Sequence, residues 1–365
     1  MIPFLDLKPA YAELKPELDA AYARVMESGW FVLGKEVEAF EQEYAAYCGT
    51  RHCIGLGNGL EALELGLRGW DIGPGDEVIV PSNTYIATWL AVTAVGAKVV
   101  PVEPTSTGPN IDPDRIAAAI TPRTRAIMPV HLYGEPADMD AIMGLADKHG
   151  LKVVEDVAQA QGAKVRGRRV GALGHAGAHS FFPTKNIGAF GDGGAVTTDD
   201  AALADRLRAM RNYGSKVKYV NIERGYNSRL DELQAAFLRV KLAKLDEWNE
   251  RRRVMAARYD DRLAGLASIG LPRAPQWAEP VWHLYVVRTQ RRAELIKALD
   301  AAGIGSLIHY PIPPHLQQAY ADLGLPRGSF PLAEALAETV LSLPIGPHMS
   351  LASVDAIADA VRRAT

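Results

Sequence analysis

Cysteine is scarce in this sequence. Cys48 and Cys53 are the only two in 365 residues. Two cysteines make neither a disulfide framework nor a four-ligand zinc site, and no metal is expected. Reduced thiols and a cytoplasmic location are the plain expectation. No apolar run is long enough to cross a bilayer. The first residues, MIPFLDLKPAY, lack a positive stretch followed by an apolar core, so a signal peptide is not expected. The formal net charge of -3 gives no reason for a nucleic-acid partner. Internal repeats and low-complexity segments are also missing. Hydrophobic residues at 48% and charged residues at 23% describe a globular chain with a sizeable core.

What is present is a regular alternation of short apolar runs and helical segments. Tyr11, Leu14, Leu18, Tyr22, Val25 and Met26 predict a helix over 10–28, and Val37, Phe40, Tyr44 and Tyr47 another over 35–47. Strands are expected at 51–59, 76–81, 97–103, 125–134 and KVVED before 156. Helices are expected from Leu60, over 82–96 with Ser82, Asn83 or Thr84 as cap, over 111–120 and over 138–150. The strands are continuous apolar runs rather than alternating ones, which marks a mostly parallel sheet covered on both faces. Ligands of such sheets sit at the carboxyl ends of the strands. His131, Tyr133, Glu155, Asp156 and Gln159 fall at such ends. Beyond 198 the chain turns to charged helices, with a strand over 282–290, a short strand near SLIHYP, and PLAEALAETVLSLPIG as a helix and turn. The expected division is a large α/β domain over 1–245 and a smaller α+β domain over 246–365.

Lys185 stands apart in this pattern. It lies in SFFPTKNIGAFGDGGAVTT, 180–198, between HSFF and GGAVTT, which read as buried strands. An amine held near a core is desolvated, its pKa falls, and it becomes the nucleophile that a Schiff-base lysine must be. A solvated surface lysine is the other reading of this stretch alone. Asp156 ends a strand 29 residues earlier. RHCIGLGNG, 51–59, is a strand entering a glycine turn before a helix, where free N–H groups can take a phosphate. GLGNG lacks the third glycine of the dinucleotide fingerprint, and no Gly-Lys-Ser/Thr follows. A single phosphate therefore fits better than a dinucleotide, and a turn with no ligand is the alternative. Together these pieces fit pyridoxal phosphate, which needs a carboxylate at its pyridine nitrogen, a lysine for its aldehyde and N–H donors for its phosphate. Tyr85 is placed to cover one ring face, and Gln159 to donate to the phenolic oxygen.

FLDLKPAY, GNGLEAL, PGDEVIVPSNTYIATWLAV, PVHLYG, VVEDVAQAQGA, SFFPTKNIGAFGDGGAV, RNYGS, GYNSRLDELQAA and HYPIPPHLQ then carry a resemblance that runs from the first residues to about residue 350. The sequence resembles the sugar aminotransferases of the DegT/DnrJ/EryC1/StrS family, within the fold-type I, aspartate aminotransferase-like enzymes. The resemblance implies a mostly parallel seven-stranded sheet covered by helices, with a smaller C-terminal α+β domain. It implies pyridoxal 5'-phosphate as cofactor, with pyridoxamine 5'-phosphate as its intermediate form. Lys185 matches the Schiff-base lysine that also shuttles the proton, and Asp156 the partner of the pyridine nitrogen. Gln159 matches the residue near the phenolic oxygen and Tyr85 the stacking aromatic. Gly59 and Leu60 match the backbone phosphate donors, and Ser180 the hydroxyl donor. Asn227 matches an asparagine that reaches the phosphate from the neighbouring subunit, which implies a homodimer with shared active sites. Trp30, Phe31, Tyr226 and Arg229 match positions near the nucleotide-sugar or glutamate.

Two departures bear on the substrate. Asn58-Gly59-Leu60 replaces the common Ser-Gly-Thr, and Gln161 stands where many relatives have histidine. NGLEAL, with TYIATWLAV and HYPIPPHLQ, resembles the branch that aminates C-3 of a dTDP-3-keto-6-deoxyhexose, and His309 and Tyr310 match a pair near the sugar there. The implied activity is transfer of an amino group from L-glutamate to that C-3, giving a dTDP-3-amino-3,6-dideoxyhexose and 2-oxoglutarate. The alternatives are a C-4 aminotransferase on a dTDP- or GDP-linked 4-keto sugar, and a non-catalytic cofactor-binding regulatory homologue. Dehydratase-like relatives carry histidine in place of the lysine, and Lys185 argues against that reading.

Overall fold

The apolar runs build one sheet. A computed structural model describes residues 1–364. The strands are β1 (His52–Leu56), β2 (Glu77–Pro81), β3 (Lys98–Val102), β4 (Thr124–Ile127), β5 (Lys152–Asp156), β6 (Ala176–Ser180) and β7 (Gly194–Thr198). Their spatial order is β1-β7-β6-β5-β4-β2-β3. All run parallel except β7, which is antiparallel to both β1 and β6. β2, β6 and β7 are buried at every position, as strands covered on both faces must be.

Helices close the two faces. Gly59–Arg68 packs Ala62, Leu63, Leu65 and Leu67 into a core with Val154, Ala178 and Val196. Each buried leucine stabilises the fold by about 1.5–3 kcal/mol. Met139–His149 covers the other face, joining Met139, Ile142 and Ala146 to Ile79, Ile127 and Val153. Gly150 closes that helix in the left-handed region at φ 64, as a C-terminal glycine should.

A separate core lies in the C-terminal part. There β8 (Tyr285–Arg288) pairs antiparallel with β9 (Val340–Leu343). The helices Leu245–Leu263, Arg292–Ala301 and Leu351–Ala364 pack on this strand pair through Tyr259, Leu299 and Val361. The N-terminus joins this layer, since Ile2 N donates to Gly303 O at 2.8 Å and Gly305 N to Ile2 O at 2.9 Å.

Several expected boundaries move, each for a local reason. The helix expected over 10–28 is two, Lys8–Glu13 and Lys15–Ser28, because Pro16 sets a new first turn after Leu14. The helix expected over 82–96 begins only at Ala87. None of the proposed caps closes it: Ser82 binds Glu103, Asn83 binds Pro109 O, and Thr84 binds Thr88. The strand expected to open 125–134 stops at Ile127, and the polar turn expected at its end falls at Leu132–Gly134. The short strand near SLIHYP is a single bridge, Leu307 to Ser342. VLSL, within the segment expected as a helix and a turn, is strand β9, because its apolar side chains fill the second core.

Candidate active site

The parallel arrangement brings β1, β2, β5 and β6 to one rim at their carboxyl ends, and β7 starts there. Between β6 and β7 the chain makes the loop that carries Lys185. The rim opens on a cleft of about 360 Å³. It is lined by Asn58, Gly59, Leu60, Thr84, Tyr85, Asp156, Gln159, Ser180, Lys185, His283, His309 and Tyr310, among others. Nine of the residues singled out in the sequence therefore meet here: Gly59, Leu60, Tyr85, Asp156, Gln159, Ser180, Lys185, His309 and Tyr310.

Lys185 is half-buried, and its loop is pinned on both sides. Lys185 N donates to Phe182 O at 2.9 Å. The next residue, Asn186, donates Nδ2 to Asn249 Oδ1 at 2.8 Å and to Val281 O at 3.1 Å. Burial pushes the Lys185 amine down to about 8, with the Asp156 charge pulling the other way. Asp156 is buried at the end of β5. Ala158 N donates to its Oδ1 at 3.1 Å, and the Thr88 hydroxyl to its Oδ2 at 3.0 Å. Burial raises its pKa, while these two donors and the Lys185 charge oppose the rise.

A second lysine, Lys241, is also brought down to about 8 by burial. Its Nζ donates to Gly188 O and lies 3.7 Å from the centre of the Phe190 ring. Lys241 does not line the cleft that holds Asp156. Geometry thus separates two lysines that burial alone would not.

The phosphate end is built from the turn after β1. Asn58 caps the helix Gly59–Arg68, its Oδ1 accepting from Glu61 N at 2.9 Å. Helix geometry leaves the N–H groups of Gly59 and Leu60 unused within the helix. The chain passes so close to β6 that a Cβ on Gly59 would lie 2.6 Å from Ser180 Cβ. A Cβ on Gly194 would lie 2.3 Å from Asn58 O. Both positions need glycine for close approach rather than for turning. An anion at this helix end also gains from the helix dipole.

At the other end, Gln159 accepts from Tyr133 N at 2.7 Å and donates Nε2 to the Tyr310 hydroxyl at 2.8 Å. The second Nε2 hydrogen remains for a ligand oxygen. Tyr85 is 55% exposed, so one ring face is open to a planar ligand, and its ring centre lies 5.3 Å from that of Tyr310. His309 is taken down to about 4 by burial and by the Lys185 charge, and His283 falls well below its usual value by burial. Both imidazoles are neutral at pH 7.

Not every expected residue reaches this cleft. Trp30 and Phe31 are 62% and 51% exposed on the surface. Tyr226 lies under the Arg68 guanidinium, 5.4 Å from it, and Arg229 donates to Asn212 Oδ1 at 3.0 Å. Asn227 is exposed and bridges to Asn212. Gln161 points away from the cleft and donates to Ser180 O at 2.7 Å, supporting β6 from behind. Sequence reasoning missed His283, Thr88, Asn186 and Asn249. His283 and Asn249 come from chain far from Lys185, and only packing brings them together. Thr88 had a usable signal, since it sits in the first turn of the helix that follows β2.

The residues fit pyridoxal phosphate. One cleft holds an amine of lowered pKa, a fixed carboxylate, a helix N-terminus made bare by glycine, and an open aromatic face. No group of acidic, histidine or cysteine side chains suited to a metal ion occurs among the described residues.

Comparison with known proteins gives the same reading. A model of the DegT/DnrJ/EryC1/StrS aminotransferase family matches residues 12–362. The dTDP-3-amino-3,4,6-trideoxy-alpha-D-glucose transaminase of Streptomyces venezuelae is 60% identical over 99% of this chain and 95% of its own length. The dTDP-3-amino-3,6-dideoxy-alpha-D-galactopyranose transaminase of Aneurinibacillus thermoaerophilus is 53% identical over 100% of this chain and 99% of its own. The crystal structure of S. venezuelae DesV in complex with a ketimine intermediate superposes with a TM-score of 0.98, at 60% identity over 99% of this chain and 98% of that one. That of NtdA from Bacillus subtilis with bound PMP superposes at 0.92, with 32% identity over 100% of this chain and 85% of that one.

Proposed function

The chain belongs to the DegT/DnrJ/EryC1/StrS aminotransferase family, and from that premise we propose that it moves the amino group of L-glutamate to C-3 of a dTDP-3-keto-6-deoxyhexose. It is a pyridoxal phosphate-dependent transaminase. The single observation that carries the chemistry is Lys185, with its lowered pKa, sharing one cleft with a buried Asp156. The C-3 position and the dTDP group are supported by the two relatives named above, which match nearly the whole chain.

The cofactor, when bound, supplies an aldehyde that takes up the amino group and a ring that accepts electrons. This chain's residues do the rest. The amine of Lys185 holds the aldehyde, then moves the α-proton from glutamate and later returns a proton to the sugar carbon. Glutamate leaves as 2-oxoglutarate, and the keto sugar leaves as the amino sugar. Asp156 keeps the pyridine nitrogen protonated, and Thr88 and Ala158 hold the carboxylate in place. The N–H groups of Gly59 and Leu60 and the Ser180 hydroxyl bind the phosphate. Gln159 donates to the phenolic oxygen, and Tyr85 stacks on the ring. His309 and Tyr310 orient the sugar.

The reading includes a homodimer in the cytoplasm. Asn227, exposed here, reaches the phosphate of the partner's site, and Trp30, Phe31, Tyr226 and Arg229 face the nucleotide-sugar or glutamate at that interface. The exposure of Trp30 and Phe31 supports a covered surface of this kind.

The test is a substrate screen with NMR of the products. The cofactor-loaded protein is given L-glutamate and 3-keto or 4-keto dTDP-6-deoxyhexoses separately. Amination at C-3 is expected. Amination only at C-4 would keep the cofactor chemistry and overturn the substrate reading.

A further inference from the structure

We propose that Tyr133 is a positioning residue for the sugar half of the reaction, fixing the His309–Tyr310 pair relative to Gln159. Tyr133 does not line the cleft. It acts through its neighbours, and the inference rests on the reading of the protein as a keto-sugar transaminase.

Four residues form a closed ring. Tyr133 N donates to Gln159 Oε1 at 2.7 Å. Gln159 Nε2 donates to the Tyr310 hydroxyl at 2.8 Å. Tyr310 is bonded in sequence to His309, and the Tyr133 hydroxyl donates to the His309 carbonyl, closing the loop. One tyrosine thus holds the amide that faces the cofactor with its backbone and the pair that faces the sugar with its side chain.

The backbone of Tyr133 is set for both contacts. It lies in the left-handed region at φ 62, followed by Gly134 at φ 94. That conformation is uncommon for a tyrosine. Leu284 N donates to Tyr133 O at 3.2 Å, so the turn is also tied to the strand segment of the second layer. Burial pushes the Tyr133 hydroxyl well above its usual pKa, so it stays a donor throughout the working pH range.

His309 has a second anchor. Its Nδ1 is paired with Ser342 Oγ at 2.8 Å, and Ser342 is fully buried on β9. Tyr133 comes from the turn that follows β4 of the large sheet, and Ser342 from β9 of the small strand pair. The sugar-facing pair is therefore held from both layers at once. Its position records how those layers sit against each other, while Asp156 is held by Thr88 and Ala158 and the phosphate turn by the helix after β1, all within the large α/β part.

The two halves of the reaction separate the roles. Tyr133→Phe keeps the backbone N–H on Gln159 and removes only the bond to the His309 carbonyl. The glutamate half-reaction, followed by the cofactor's absorbance, should change less than about twofold. The KM for the keto sugar should rise about tenfold, the size expected from one lost hydrogen bond to a positioned group. Calorimetric binding of the dTDP-3-amino-sugar product to the loaded protein should weaken by a similar factor. Ser342→Ala should give the same pattern from the other anchor, which keeps the test open should Tyr133→Phe fold poorly. Equal losses in both half-reactions, or no change in either, would overturn the inference. Failure of the unmodified protein to bind 3-amino sugars would instead overturn the substrate reading beneath it.

Discussion

The Thr88 hydroxyl donates to Asp156 Oδ2 over 3.0 Å, inside a site where burial works against the carboxylate's charge. A bond to a charged group contributes about 1.5–3 kcal/mol. Thr88→Val keeps the shape and removes the donor, so the Asp156 pKa should rise further and its hold on the pyridine nitrogen weaken. The single-turnover rate with glutamate should fall about ten- to a hundredfold. A rate equal to that of the unmodified protein would show that Ala158 N alone suffices.

Lys185 gives a pH dependence with a definite sign. Burial lowers its pKa from 10.5 to about 8. Below 8 the amine is protonated and cannot attack the aldehyde. Its neutral fraction, and with it the rate of cofactor loading onto the empty protein, should rise about tenfold per pH unit up to roughly pH 8 and then level off. A rate still climbing at pH 10 would mean an amine in water. The same shift acts on the stability of the empty protein. Between 8 and 10.5 the unfolded chain binds the proton and the folded one does not, so this group makes stability rise with pH across that window.

His131 tests the floor of the site. It is fully buried, its Nε2 pairs with Glu155 Oε2 at 3.0 Å, and its Nδ1 accepts from Ala137 N at 3.0 Å. Glu155 also takes N–H donors from Gly171, Leu173 and Gly174 at 2.9, 2.8 and 2.7 Å. His131→Ala would leave Ala137 N unpaired and take from Glu155 Oε2 one of its two donors, Gly171 N remaining, at a cost of about 3 kcal/mol. Urea unfolding of the variant checks this, and a loss under 1 kcal/mol would contradict it.

Asp156, Gln159 and the GNGL turn could be read from the sequence because each sits at or just past a strand end or at a helix start, and Lys185 because its Gly-rich loop joins two apolar runs; such positions follow from local pattern. The parallel sheet was legible for the same reason. The late start of the helix at Ala87 was not, since Ser82, Asn83 and Thr84 are taken by partners distant in the chain or inside the helix itself. Strand β9 was hidden because four residues of apolar sequence after a helix have no period of their own, and the second core decides them. Asn186 and its anchors Asn249 and His283 were invisible to local pattern, for the contacts span 63 and 97 residues. Tyr133 could be placed at a strand end but not given a task, because its two partners come from Gln159 and from a loop far along the chain.

The most direct test maps the lysine that holds the cofactor. Two lysines here have amines lowered to about 8, Lys185 and Lys241. Borohydride reduction of the loaded protein, followed by peptide mass spectrometry, fixes the attachment point. The account predicts the label on Lys185 alone, and its loss when L-glutamate is added before reduction. A label on Lys241, or one on Lys185 that glutamate leaves in place, would contradict it.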